Sequence, residues 1–242
     1  MNKVIILGSE GLIGKTLFNY LYDQNFKIIG VDRNFEPNNQ NKNKHIFDIT
    51  SLENQDAFDS FLSDLVGQDN EDYLSIIDAL LIRKKIEKNS KEETHSAFLG
   101  YLTTTVTIAK WFGNFCKKKN INGNMIMISS VKGFYAPKFK HYENLNMNSD
   151  VEYGISKAGI SYAAKDLSVR FKGIARYNCL APGGIKGEDH SSTFIKRYDD
   201  SCLKVPGLVD PLEVAKIIKI LISESSPIIG QTIIVDNGWS LT

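Results

Sequence analysis

Cysteine is scarce in this 242-residue chain, which carries only Cys116, Cys179 and Cys202. An odd, scattered trio makes neither a disulfide framework nor a metal-ligand spacing, and it points to a reduced, cytoplasmic setting. A surplus of one charge sign is lacking as well. The 29 Lys and Arg nearly cancel the 28 Asp and Glu, for a formal net charge of +1. No electrostatic footprint for nucleic acid or an anionic membrane face results. No apolar run approaches the about 20 residues that cross a bilayer, and the run at 4–7 is too short for a signal-peptide core. His45, His95, His141 and His190 share no ligand spacing, so no metal is expected. His141 itself reads as a surface residue, or else as a substrate contact.

Apolar residues are plentiful and gather in short β-branched runs at 4–7, 27–31, 45–47, 76–81, 125–129, 175–180 and 232–235. The runs are unbroken rather than alternating, as in a parallel sheet covered on both faces. Helical periodicity fills 12–24, 51–66, 103–118, 152–171 and 211–224, with Pro211 suited to a first helical turn and Asp210 to its cap. The alternation predicts an α/β protein. It is expected to be one domain over 1–242, with a doubly wound parallel sheet of about seven strands and helices on both faces. The polar stretch 38–44 reads as a surface loop. Two longer irregular segments, 134–150 and 186–208, follow strand ends, where ligands of such sheets bind.

Gly8-Ser-Glu-Gly11-Leu-Ile-Gly14 joins the first strand to the first helix. Glycines allow a tight turn and let backbone amides approach a pyrophosphate at the positive helix N-terminus. Gly8, Glu10, Gly11, Leu12, Ile13 and Gly14 are therefore candidate dinucleotide contacts, and the sheet reads as a Rossmann fold. Asp32 ends the second strand, where a carboxylate would accept hydrogen bonds from an adenosine ribose. It would repel a 2′-phosphate, favouring NAD(H) over NADP(H), although Arg33 beside it could accept that phosphate. Asp48 and Ile49 follow the third strand, placed either to meet adenine or simply to begin a helix.

Tyr153 and Lys157 stand four residues apart, on one helix face. A phenol with its ordinary pKa near 10 is a poor acid–base catalyst at neutral pH, and a nearby ammonium favours the phenolate. Ser129 and Ser130 end the fifth strand with hydroxyls that could hold a substrate oxygen. Pro182-Gly183-Gly184-Ile185 ends the sixth strand in a rigid turn.

In this order and spacing, the motifs make the chain resemble a short-chain dehydrogenase/reductase along nearly its whole length. The closing Gly230-Gln-Thr-Ile-Ile-Val-Asp236-Asn-Gly238 belongs to the same pattern. The resemblance implies that Tyr153 exchanges the proton, that Lys157 binds the nicotinamide ribose and tunes Tyr153, and that Ser130, three before Gly133, orients the substrate oxygen. It also implies cofactor contacts at Pro182, Gly183 and Ile185, a substrate lid over 186–208, and a homodimer or homotetramer built on helices 103–118 and 152–171. Ala136-Pro-Lys-Phe139, Tyr142, Met147, Glu152-Tyr153, Lys157-Ala-Gly-Ile160 and Pro182-Gly-Gly-Ile185 resemble the branch linked to flagellin modification and surface-sugar biosynthesis. That implies a sugar or nucleotide-sugar substrate. Tyr135, Phe139, Tyr142 and Lys186 are its candidate contacts, with Lys138 and Lys140 as further cations for an anionic group.

Three departures from the family pattern stand out. Leu12 replaces a usual glycine. The Asn-Asn-Ala-Gly turn after the fourth strand corresponds to Leu81-Ile-Arg83-Lys84-Lys85. The helix asparagine of the family's proton relay has no counterpart, with Leu99 or a neighbour in its place. Two other readings therefore accompany the oxidoreductase: a catalytically impaired nucleotide-binding or assembly protein, and a sugar epimerase or dehydratase. The short chain argues against the latter.

Overall fold

The computed structural model describes residues 3–34, 43–67, 72–80, 90–187 and 190–242. Seven parallel strands form one sheet in the order β3-β2-β1-β4-β5-β6-β7. They are β1 (Lys3–Leu7), β2 (Lys27–Asp32), β3 (Lys44–Ile46), β4 (Tyr73–Asp78), β5 (Asn122–Ile128), β6 (Ala175–Pro182) and β7 (Thr232–Val235). The helices are α1 (Leu12–Tyr22), α2 (Gln55–Val66), α3 (Lys91–Phe98), α4 (Thr104–Lys119), α5 (Val151–Arg170), α6 (Ser192–Asp199) and α7 (Pro211–Leu221). The strand order reverses between β1 and β4, which opens a crevice at the carboxyl edge of the sheet.

The unbroken apolar runs bury side chains on both faces. Ile5, Leu7, Leu74, Ile76, Met125 and Met127 pack with Phe58 and Leu62 of α2, Ile108 and Phe112 of α4, and Ile160 and Leu167 of α5. Val4, Ile6, Ile77, Ile126 and Leu180 meet Leu17 and Leu21 of α1 and Val214 and Ile218 of α7. Asp210 caps α7 by accepting the Leu212 N–H at 2.8 Å, with Pro211 in the first turn. No helix among the described residues is long and apolar enough to cross a membrane.

Several boundaries shift by a few residues from the sequence reading, and one helix is additional. β4 ends at Asp78, not at 81. The Ala79 N–H makes a last bond to the Leu7 carbonyl at 3.0 Å before the chain turns over Gly8, so the apolar Leu80 belongs to the turn. The 81–85 stretch and most of the 38–44 loop lie outside the described residues. α3 was missed because Ala97 is its only buried residue. Its legible signal is a capping box, in which the Ser90 hydroxyl accepts the Glu93 N–H and the Glu93 carboxylate accepts the Ser90 N–H. A π-helical turn, Leu99–Thr103, joins α3 to α4.

Candidate active site

The glycine turn is built by close approach. Gly8 adopts φ +79°, and a Cβ there would lie 3.0 Å from the Ala79 carbonyl oxygen. A Cβ on Gly14 would lie 2.1 Å from the Gly8 carbonyl oxygen, so α1 reaches its strand only with glycine at that point. Gly11 caps α1 without a side-chain acceptor, and no acidic residue occupies the first turn. Among the described residues, no side chain therefore neutralises the positive end of α1. Leu12 is exposed beside it, with Ile13 half-buried.

Asp32 commits both carboxylate oxygens at the end of β2. One accepts the Glu10 N–H and the other the Asn34 N–H, each at 3.0 Å. Glu10 in turn pairs with Lys44 at 2.7 Å, and Lys44 sits on β3 opposite Gly30. Sequence reasoning missed Lys44, because strand pairing alone carries it to the glycine turn. Arg33 follows Asp32 on the exposed side. Asp48 caps its own 3-10 turn, accepting the Thr50 N–H at 3.0 Å, while Ile49 is buried in the core.

Ser129 and Ser130 separate cleanly. The Ser129 hydroxyl is taken up inside, donating to the Lys157 carbonyl at 2.7 Å and lying 2.8 Å from the Ser161 hydroxyl. Ser130 begins the next turn, its oxygen accepting the Lys132 N–H at 3.3 Å. That turn is pressed onto α5, since a Cβ on Gly133 would lie 2.7 Å from the Ala158 nitrogen. On α5, the Lys157 ammonium lies 5.6 Å from the centroid of the Tyr153 ring and donates to the Ile128 carbonyl at 2.7 Å. Lys157 is only 3% exposed. The Lys132 ammonium lies 5.8 Å from the Tyr153 ring and 5.0 Å from the Tyr142 ring. Tyr101, from the π-helical turn, meets Tyr153 edge-on at 5.5 Å. Neither Tyr101 nor Lys132 has a sequence signal that would have singled it out.

Asp78 is a further unforeseen group. It ends β4 opposite Met127 of β5 and is 2% exposed. Burial raises its carboxyl above the usual carboxylate range, against the Thr105 hydroxyl, the Leu80 N–H and the Lys157 charge, which lower it.

The segment 134–150 corrects one reading. His141 is 2% exposed, not a surface residue, because it is the hub of an aromatic cluster. Its ring lies 5.2 Å from Tyr198 and 6.4 Å from Phe194 of α6, and 6.2 Å from Trp239. Its Nε2 is 2.8 Å from the Ser201 hydroxyl. Lys138 is engaged in the same joint, donating to the Trp239 carbonyl at 2.9 Å and the Thr242 hydroxyl at 2.6 Å. Tyr142 packs on Phe194 at 6.0 Å, and burial together with the neighbouring Tyr153 holds its phenol above the ordinary value. Tyr135 and Phe139 are exposed, the latter at 62%, as are Lys140 and Lys186. After β6, the Gly183 N–H donates to the Val235 carbonyl at 2.9 Å, and Ile185 bridges Val209. A Cβ on Gly187 would lie 3.6 Å from the Leu12 side chain, so the start of the 186–208 segment meets the glycine turn.

Residues 72–240 match the family model described as enoyl-(acyl carrier protein) reductase. A post-translational flagellin modification protein A from Campylobacter coli is 36% identical over 147 residues, which are 59% of this chain and 54% of that protein. The chain thus aligns with about half the length of that relative. Glucose 1-dehydrogenase 2 from Bacillus subtilis is 25% identical, over 98% of this chain and 94% of its own. Among solved structures, a short-chain dehydrogenase from Leptospira borgpetersenii with bound NAD+ superposes with TM-score 0.81 at 23% identity, covering 99% of this chain and 92% of that one. A 4-hydroxyisoleucine dehydrogenase complexed with NADH does so with TM-score 0.79 at 20% identity, covering both chains fully. At these identities the two superpositions establish the fold, and the match over 72–240 establishes the lineage. The chain belongs to the short-chain dehydrogenase/reductase family of oxidoreductases.

Proposed function

We propose that the protein interconverts a hydroxyl and a carbonyl on a sugar or nucleotide-sugar intermediate of surface-glycan biosynthesis, using NAD(H) in preference to NADP(H). The observation that carries this reading is the buried Lys157 ammonium, held at the end of β5 and turned toward Tyr153. The cleft fits a dinucleotide, because the start of α1 has no side-chain cap and the turn at Gly8, Gly11 and Gly14 carries no Cβ to keep a pyrophosphate from the helix end. Asp32 would hold the adenosine ribose, and Lys157 the nicotinamide ribose. Asp48, beside the buried Ile49, would meet adenine, and Pro182, Gly183 and Ile185 would meet the nicotinamide.

A bound nicotinamide supplies or accepts the hydride, and this chain handles the proton. In reduction, Tyr153 donates its phenolic proton to the substrate oxygen while the Ser130 hydroxyl donates a hydrogen bond to that oxygen. The Lys157 charge stabilises the phenolate that remains. In oxidation, the same phenolate takes the proton back. The preference for NAD(H) rests on two carboxylates, Asp32 and Glu10, beside the ribose position, with Lys44 already paired to Glu10. The sugar class rests on the names of the Campylobacter coli and Bacillus subtilis relatives. Tyr135, Phe139, Tyr142 and Lys186 would contact the substrate. A homodimer or homotetramer is part of this reading, on the exposed apolar side chains Ile155, Tyr162 and Val169 of α5.

Calorimetric titration with NADH and NADPH, followed by a turnover screen of nucleotide sugars, tests the reading. Binding of neither cofactor would leave the assembly-protein alternative. Turnover confined to small ketones or lipids would remove the sugar assignment.

A further inference from the structure

Asp78 plays no part in the proton handling described above, yet it is buried behind it. Strand alternation turns Asp78 to the same face as Leu74 and Ile76, toward α4 and α5. One carboxyl oxygen accepts the Leu80 N–H at 3.1 Å. The other is buried without a hydrogen-bond partner among the described residues. The Thr105 hydroxyl of α4 faces the group, and the Lys157 ammonium of α5 is held at the Ile128 carbonyl, one residue along β5 from Met127, the residue paired with Asp78. From β6, Cys179 shares the same field of Lys157 and Asp78, and burial pushes its thiol up to about 12. A carboxylate with one hydrogen bond and one orphaned oxygen is expensive in such an interior, and the neutral acid is much less so.

Building on the reading of Tyr153 and Lys157 given above, we propose that Asp78 is a positioning residue of this site. It is held as the neutral acid in the working enzyme and acts through Lys157. While Asp78 is protonated, the ammonium directs its full charge at the Tyr153 phenol, alongside Lys132 and beside Tyr142. When Asp78 ionises at higher pH, its carboxylate sets a negative charge against the ammonium and weakens the field that stabilises the phenolate. Asp78 thereby sets the alkaline limit of oxidation, the direction in which the phenolate is the base, and the pH–rate profile that tests it is the one for oxidation. The step is a single ionisation, with the proton released to solvent, and it changes no other bond.

Asp78→Asn is the test, since asparagine keeps the shape and the acceptor for the Leu80 N–H while removing the ionisation. Its activity is expected within about twofold of the parent at neutral pH, with the alkaline edge of the pH–rate profile moved up by about one unit. Superimposable profiles would overturn the proposal. A second readout needs no turnover. A buried acid with a raised folded-state value loses stability as pH rises from its unfolded value toward its folded one, because the unfolded chain gives up the proton first. The parent should show that decline in urea unfolding, and Asp78→Asn should lack it. Equal declines count against the idea even if the enzyme proves inactive. A variant that unfolds at neutral pH does so too, because asparagine mimics the proposed resting state. Loss of turnover in both proteins with the stability difference intact would instead fault the proposed function alone.

Discussion

Lys157 donates from its ammonium to the carbonyl oxygen of Ile128 at 2.7 Å, tying the middle of α5 to the end of the strand that presents Ser130. The side chain is therefore fixed at its tip as well as at its root, and its charge reaches Tyr153 from a set direction.

Removing the phenolic proton should expose this arrangement directly. Tyr153→Phe is expected to lower kcat by about 10³-fold, within the range of a lost general acid–base group, while NADH affinity stays within about threefold. Steady-state kinetics with calorimetry check both halves. Undiminished turnover would remove Tyr153 from the mechanism.

Cofactor choice follows from the carboxylates around β2. NADH should bind at least about tenfold more tightly than NADPH, because a 2′-phosphate would approach Asp32 and Glu10. Asp32→Asn should narrow that ratio, at some loss of affinity for both. Parallel titrations of parent and variant measure it, and equal affinities in the parent would refute the preference.

Gly14→Ala places a methyl group 2.1 Å from the Gly8 carbonyl oxygen, against backbone that cannot yield. A loss of about 3 kcal/mol in urea unfolding is expected, together with loss of NADH binding. Gly67→Ala offers a contrast. Its added methyl meets nothing within 4 Å, so its cost should come from the positive φ alone.

The His141 cluster gives the segment 134–150 and α6 a shared acid sensitivity. Burial, then the charges of Lys138, Lys132 and Arg197, hold the His141 imidazole below its ordinary value. The folded state thus resists a proton that the unfolded chain accepts. The stabilisation is present above the ordinary histidine value of about 6.5 and is lost as pH falls through it toward the folded-state value. Thermal unfolding should show this decline, reduced in His141→Gln. The same slope in the variant would assign it elsewhere.

Assembly is checked by mass. Light scattering at micromolar concentration should give twice or four times 27.2 kDa, and Tyr162→Glu on exposed α5 should shift the population toward monomer. A monomer throughout would discard the oligomer.

The glycine turn, Asp32, the Ser129–Ser130 pair, Tyr153 and Lys157 were legible because each signal is local. A turn needs its glycines within one short loop, and a helix face repeats every three or four residues. The geometry spends the Ser129 hydroxyl on Lys157 and Ser161, and Ser130 opens the following turn. The fourth strand was placed three residues late at its end because Leu80 extends an apolar run, and hydrophobicity alone does not reveal that the chain has already turned. α3 escaped because it buries too little to show a stripe.

Local chemistry thus specified the strands, the glycine turn and the Tyr153–Lys157 pair, since backbone preference and side-chain periodicity act within a few residues. Packing alone decided the rest. Lys44 reaches Glu10 from a neighbouring strand, His141 is buried by rings from α6 and the chain's last turn, and Asp78 comes to lie beside Met127, next to the carbonyl that holds Lys157. Those encounters depend on strand order and on which sheet face each residue occupies, which are properties of the assembled core rather than of any one segment.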